Sequence, residues 1–109
     1  MAKLTDVTFV GTSGTKYRFE AYAFGTTFKA LGAVYIFTVR TVKDGKGSHD
    51  PIYIGQTGDL SERFDDHHKA KCIKSKNPTC ICIHLNDSDK SRLAIETDLL
   101  ANRNPPCNG

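Results

Sequence analysis

An α+β domain, built on a small, mainly antiparallel sheet of three to four strands flanked by helices, is the fold class this sequence predicts. Three observations predict it: short extended runs rich in β-branched and aromatic residues, glycine-rich turns between them, and two later segments with helix-start signals. The coarse order is strand, strand, strand, helix, strand, helix. At 109 residues and 12.0 kDa the chain has room for a single domain (1–109) with one modest core.

Residues 11–15 (Gly-Thr-Ser-Gly-Thr) read as a turn. In 17–24 aromatic Tyr17 and Phe19 alternate with charged Arg18 and Glu20, the mark of a half-buried strand, with a slip in phase near Ala21. Residues 34–39 (Val-Tyr-Ile-Phe-Thr-Val) are too continuously apolar for an edge and read as a central strand. A polar, glycine-rich connection follows, with Thr41 to Asp50 as an apparent loop, before Ile52-Tyr53-Ile54 runs extended again; together they read as a hairpin. Asp59-Leu60-Ser61-Glu62 resembles a capping box and predicts a helix through about Lys69. Asn77-Pro78 is a turn and residues 80–85 another strand. Asn86-Asp87-Ser88 offers N-caps for a second helix to about Asn102, stopped by Asn104-Pro105-Pro106.

Hydrophobic residues make up 39% of the chain, net charge is +3, and the pI is near 8.7. These values fit a folded domain and are compatible with a polyanionic partner. No apolar run approaches the ~20 residues of a membrane helix, and the N-terminus lacks a signal-peptide pattern, so the chain reads as cytoplasmic. Lys69, Lys71, Lys74 and Lys76 share one segment with His67 and His68, free of acids from 67 to 86. That segment could contact phosphates, although charge alone favours a solvated loop. The four cysteines, Cys72, Cys80, Cys82 and Cys107, are expected as reduced, half-buried thiols. Cys80 and Cys82 point to one face of their strand. A zinc-stabilised interaction domain using His67, His68, Cys72, Cys80 and Cys82 is a weak alternative, since no C-x-x-C is present.

The side chains able to carry chemistry are few. Arg63 and His67, four apart on the first expected helix, project side by side, while Leu60 and Phe64 pack inward and His68 follows them as a packing or rim residue. The Arg63 fork suits phosphate. Glu96 falls on or beside an apolar face marked by Leu93, Leu99 and Leu100, whereas Asp98 faces more nearly away. A carboxylate so placed must snorkel, pair with a cation or bind a metal. Alternation sets Tyr35 opposite Val34 and Ile36, and Tyr53 opposite Ile52 and Ile54, so both phenols can emerge on one face of adjacent strands. Gly55 permits close backbone approach.

Ala33-Val34-Tyr35 and Tyr53-Ile54-Gly55, followed in order by Arg63, His67, Glu96 and Asn108, resemble the GIY-YIG nuclease family over residues 32–108. The strand at about 15–25 then stands as an N-terminal extension that lengthens the sheet or covers its edge. The resemblance implies a GIY-YIG endonuclease-like fold and a divalent-metal-dependent endonuclease that nicks one strand of DNA, an activity found in repair among other pathways. It implies Tyr35, Tyr53, Arg63, His67, Glu96 and Asn108 as catalytic residues, with Glu96 holding a single Mg²⁺ or Mn²⁺. The lysines at 69, 71, 74 and 76 are then expected to bind DNA. Two departures stand out: Ala33 holds the place of the first motif glycine, and the Tyr35–Tyr53 connection is longer than usual. Target choice is left to a weakly specific or structure-selective activity, or to a partner protein, with no membrane involved. The alternative is a nucleic-acid-binding module that keeps the fold without turnover.

Overall fold

The computed structural model describes residues 3–62 and 67–108. Within them run β1 (Thr5–Val10), β2 (Lys16–Ala23), β3 (Ala33–Lys43), β4 (Lys46–Thr57), α1 (Ala70–Ser75), β5 (Cys80–Leu85) and α2 (Asp89–Leu100). The strands form one antiparallel sheet in the order β1-β2-β5-β3-β4. The fold is therefore α+β, with five strands where three or four were expected. The additional one is β1, whose Phe9 packs edge-on against Phe19 of β2 with ring centres 5.3 Å apart. Tyr17, Phe19 and Ala21 keep one face throughout, without the expected slip, because β2 pairs with β1 and β5 in unbroken register.

Both faces of the sheet are covered, which is why β3 and β5 read as almost continuous apolar runs. One face gathers Tyr35, Phe37, Tyr53 and Ile81 under Ile73 of α1 and Cys107. The other gathers Phe19, Val34, Ile36, Ile54 and Cys82 under Ile95 and Leu99 of α2. Cys80 and Cys82 are fully buried rather than half-buried.

The expected loop at 41–50 is a regular β-ribbon in which β3 and β4 pair as far as Lys43 and Lys46. Asp44 (φ 53°) and Gly45 (φ 74°) close it in two left-handed residues, a turn whose twist matches the flanking strands. A register shift at Phe37/Thr38 sets Tyr53 and Pro51 opposite these residues, leaving Ile52 as the extra one. Ile52 consequently joins the Tyr53 cluster, contrary to simple alternation.

The expected helix at 59–69 does not form over the described residues 59–62 and 67–69. Residues 59–62 form a turn in which the Asp59 carboxylate accepts the Ser61 N–H at 2.8 Å, and the described helix runs instead over Ala70–Ser75. Phe64 and Arg63 lie outside the described residues. The second helix begins where expected, with Ser88 as N-cap accepting the Ser91 N–H at 3.2 Å.

Cys72 of α1 and Cys107 are joined in a disulfide, with Cα atoms 5.8 Å apart, which corrects the expectation of reduced thiols at these two positions. The bond fixes the tail against the free edge of β4. There the Cys107 N–H donates to Ile52 O at 3.0 Å, and the Asn108 amide accepts from Ile54 N and donates to Ile54 O, each at 2.9 Å. The tail thus satisfies edge groups that would otherwise be open for pairing.

Candidate active site

Tyr35 and Tyr53 emerge on the same sheet face, from neighbouring central and edge strands, with ring centres 6.1 Å apart. Gly55 lies directly across from Tyr35. A Cβ there would stand 2.7 Å from Tyr35 Cζ and Oη and from Tyr53 Cε2, so both rings occupy space that only glycine leaves open. This gives the glycine, which lies inside β4 two residues before its end, a steric reason.

His67 closes over the pair. Its Nε2 lies 2.7 Å from Tyr35 Oη, and its ring meets Tyr53 edge-on at 5.1 Å. The backbone N–H of Lys69 donates to His67 Nδ1 at 3.0 Å. An imidazole that accepts at Nδ1 carries its proton on Nε2, so His67 donates to Tyr35 Oη. Burial, then neighbouring His68, holds the His67 pKa below the ordinary value, which keeps the ring neutral. His67 sits just before α1 rather than within a helix, placed by this bond to Lys69. His68 is exposed and stacked on His67 at 4.6 Å, not packed beneath it.

Glu96 of α2 is half-buried and makes no hydrogen bond or ion pair among the described residues. Burial raises its pKa. Its charge bears on both phenols. Tyr35 is pushed above the ordinary tyrosine range by burial, then by Tyr53, Glu96 and Glu62; Tyr53 is raised by burial and Glu96 and lowered by its bond with Tyr35. Glu62 is the residue the sequence reading passed over, since it registered only as the acid of a capping box.

The helix that carries Glu96 is oriented by Arg92, one turn earlier, which is only 2% exposed. Its Nε donates to Gln56 Oε1 of β4 at 3.1 Å, its Nη1 donates to Asn86 O at 2.8 Å, and it ion-pairs with Asp89. Arg92 occupies the inward position expected for Leu93, which is half exposed instead. Asp98 does not face solvent freely either. It accepts from Ser13 N (2.9 Å), Ser13 Oγ (2.7 Å) and Tyr17 Oη (2.7 Å), bonds that hold its carboxyl below the usual range.

Three expected site residues therefore stand together, Tyr35, Tyr53 and His67, while Glu96 lies on α2 and bears on the two phenols through its charge. Asn108 is adjacent through its two bonds to Ile54, the residue after Tyr53, where it fixes backbone. Arg63 lies outside the described residues. Lys71, Lys74 and Lys76 are exposed on or just after α1, and Lys69 is its half-buried N-cap. Among the described residues no three His, Cys, Asp or Glu side chains converge as a ready-made metal cage. A lone, half-buried carboxylate without a partner among the described residues does fit a hard cation that takes most of its shell from water and phosphate oxygens. No described helix is long and apolar enough to cross a membrane. Compared with known proteins, the chain matches no protein-family model, no curated protein and no solved structure.

Proposed function

We propose that the protein is a GIY-YIG-type endonuclease that hydrolyses DNA phosphodiester bonds with the help of a divalent cation, nicking one strand. The observation that carries this reading is the Tyr35–His67 bond beside Tyr53, with the Glu96 carboxylate, unpartnered among the described residues, bearing on both phenols.

In the resting site Tyr35 is a protonated phenol, held so by burial and nearby negative charge. The bond donated by His67 Nε2 opposes this, because it stabilises the phenolate. Neutralising the Glu96 carboxylate removes one cause of the raised pKa in both tyrosines. Once the Tyr35 phenol proton has passed to solvent, the phenolate takes the proton of the attacking water while Tyr53 orients water or phosphate. Arg63 and the lysines around α1 stabilise the charge that develops on the phosphate. A single Mg²⁺ or Mn²⁺ held by Glu96 would supply charge neutralisation at the scissile phosphate and its leaving oxygen.

The test is a cleavage panel over duplex, single-stranded, flap and branched DNA, with Mg²⁺, Mn²⁺ or chelator. Metal-dependent product on at least one substrate is expected. Salt-sensitive DNA retention without product on any of them would overturn the enzyme in favour of a binding module.

A further inference from the structure

A cleft of about 700 Å³ opens between β1 and the β3–β4 ribbon, lined on one side by Thr8 and Phe9 and on the other by Arg40, Ser48 and His49, with Arg103 beyond α2. It lies on the sheet face opposite the tyrosines, since its floor adjoins Cys82 of the cluster under α2. Nothing in the proposed hydrolysis uses it.

Its floor is a buried polar chain. Thr38, fully buried, has Oγ1 2.8 Å from His49 Nδ1 and 3.9 Å from Cys82 Sγ. Burial pushes the Cys82 thiol up to about 12, so it remains S–H. A buried hydroxyl must place its proton, and the imidazole nitrogen is a nearer and better acceptor than sulfur. The chain therefore runs from Cys82 S–H to Thr38 Oγ1, and from Thr38 O–H to His49 Nδ1. Burial, then Arg40, keeps His49 neutral. This tautomer leaves Nε2–H as the ring's remaining donor, and it has no bond to any described residue.

The walls are donors too. Arg40 is the cross-strand partner of His49, so guanidinium and imidazole share a face. Gly47 leaves room for the guanidinium, whose Nη2 would be 3.3 Å from a Cβ there. The Arg40 side chain has no hydrogen bond or ion pair among the described residues. Arg103 spends one nitrogen on Leu99 O at 2.9 Å and a long contact to Asn102. Asp6, the one carboxylate among the described residues that line the cleft, is already engaged by Lys3 (3.1 Å) and Arg18 (2.8 Å). Two guanidiniums and an N–H from a neutral imidazole match an oxyanion, and a phosphate above all, because the fork can hold two of its oxygens.

We propose that this cleft is a second binding site, separate from the tyrosine site, that takes a phosphate group through Arg40, Arg103 and His49 Nε2–H. The phosphate is either free or part of a nucleic-acid strand.

The experiment is an NMR titration of the isotope-labelled full chain, without divalent metal, by inorganic phosphate and separately by a short single-stranded oligonucleotide. Histidine nitrogen shifts in the free protein should show Nε2–H for His49, and Thr38→Val should lose that preference. Saturable shifts at the Arg40, Arg103 and His49 side chains are expected, weakened roughly tenfold or more by Arg40→Gln or Arg103→Gln with the amide spectrum otherwise unchanged. Saturation by phosphate assigns a free anion; saturation by the oligonucleotide alone assigns a strand phosphate. If neither ligand moves these side chains, or if both arginine variants bind as wild type does, the site is refuted. This outcome is independent of whether the tyrosine site cleaves DNA.

Discussion

Breaking the Cys72–Cys107 disulfide should destabilise the domain by an amount that follows from its place in the chain. The bridge joins residues 35 apart, enclosing β5 and α2. Loop-closure entropy for a loop of that length corresponds to about 4 kcal/mol at 25 °C. The bridge pins α1. The helix is six residues long, too short to persist alone, and Ile73 is its one buried residue. Against a total stability of about 5–15 kcal/mol for a domain of this kind, the loss is a large fraction. It amounts to a fall in Tm of roughly 15 °C. The perturbation is Cys72→Ala with Cys107→Ala, compared with wild type under non-reducing conditions and with reduced wild type. Urea and thermal unfolding provide the assay. A thiol count on the denatured chain should first return only Cys80 and Cys82 as free. A stability difference below about 1 kcal/mol, in a protein shown to be oxidised, would refute the account of how α1 and the tail are held.

Three further outcomes follow from the site. Gly55→Ala places a methyl 2.7 Å from Tyr35 and Tyr53 atoms, so it should cost about 1–3 kcal/mol and displace the Tyr35–His67 bond. Loss of His67's abnormal NMR titration in that variant would register it. Asn108→Ala leaves the Ile54 N–H and C=O without their tail partners, for a loss of about 1–3 kcal/mol. Faster amide exchange at Ile54 is the accompanying signal, and unchanged exchange would contradict the clamp. Glu96→Gln tests pH linkage. Because burial raises the folded pKa, the native state retains its proton while the unfolded chain ionises, and Glu96 weakens the fold as pH rises through and above the ordinary carboxylate range. The variant should be more stable than wild type at pH 7, with the difference vanishing below that range. Unfolding curves showing a pH-independent difference would contradict this.

The sheet centre was legible because burial on both sides leaves a plain signature. Residues 34–39 and 80–85 are almost continuously apolar, broken only by Thr38 and His84, and both became interior strands. Alternation allowed Tyr35 and Tyr53 a common face, and the β3–β4 pairing sets it. The ribbon at 41–50 was missed although Asp44-Gly45 is a strong two-residue turn signal, because polar residues of an exposed ribbon resemble a loop. Ile52 escaped alternation through a bulge, which local composition does not mark. In α2, helical phase favoured Leu93 as the buried neighbour of Glu96. The fold buries Arg92 there instead, since Gln56 and Asn86 O offer its guanidinium acceptors that only tertiary structure brings near. The disulfide was hidden for a related reason: the separation of Cys72 and Cys107 in sequence says nothing of the β4 edge where they meet.

The most direct measurement of the proposed chemistry is conversion of supercoiled plasmid to nicked circle in Mg²⁺ or Mn²⁺, compared between wild type, Glu96→Ala, Arg63→Ala and Tyr35→Phe. Wild type should nick with either ion and stop on chelation, and each variant should fall by roughly a hundredfold or more. Nicking that survives unchanged in Glu96→Ala and Arg63→Ala would contradict the reading of this face as the site of phosphodiester hydrolysis.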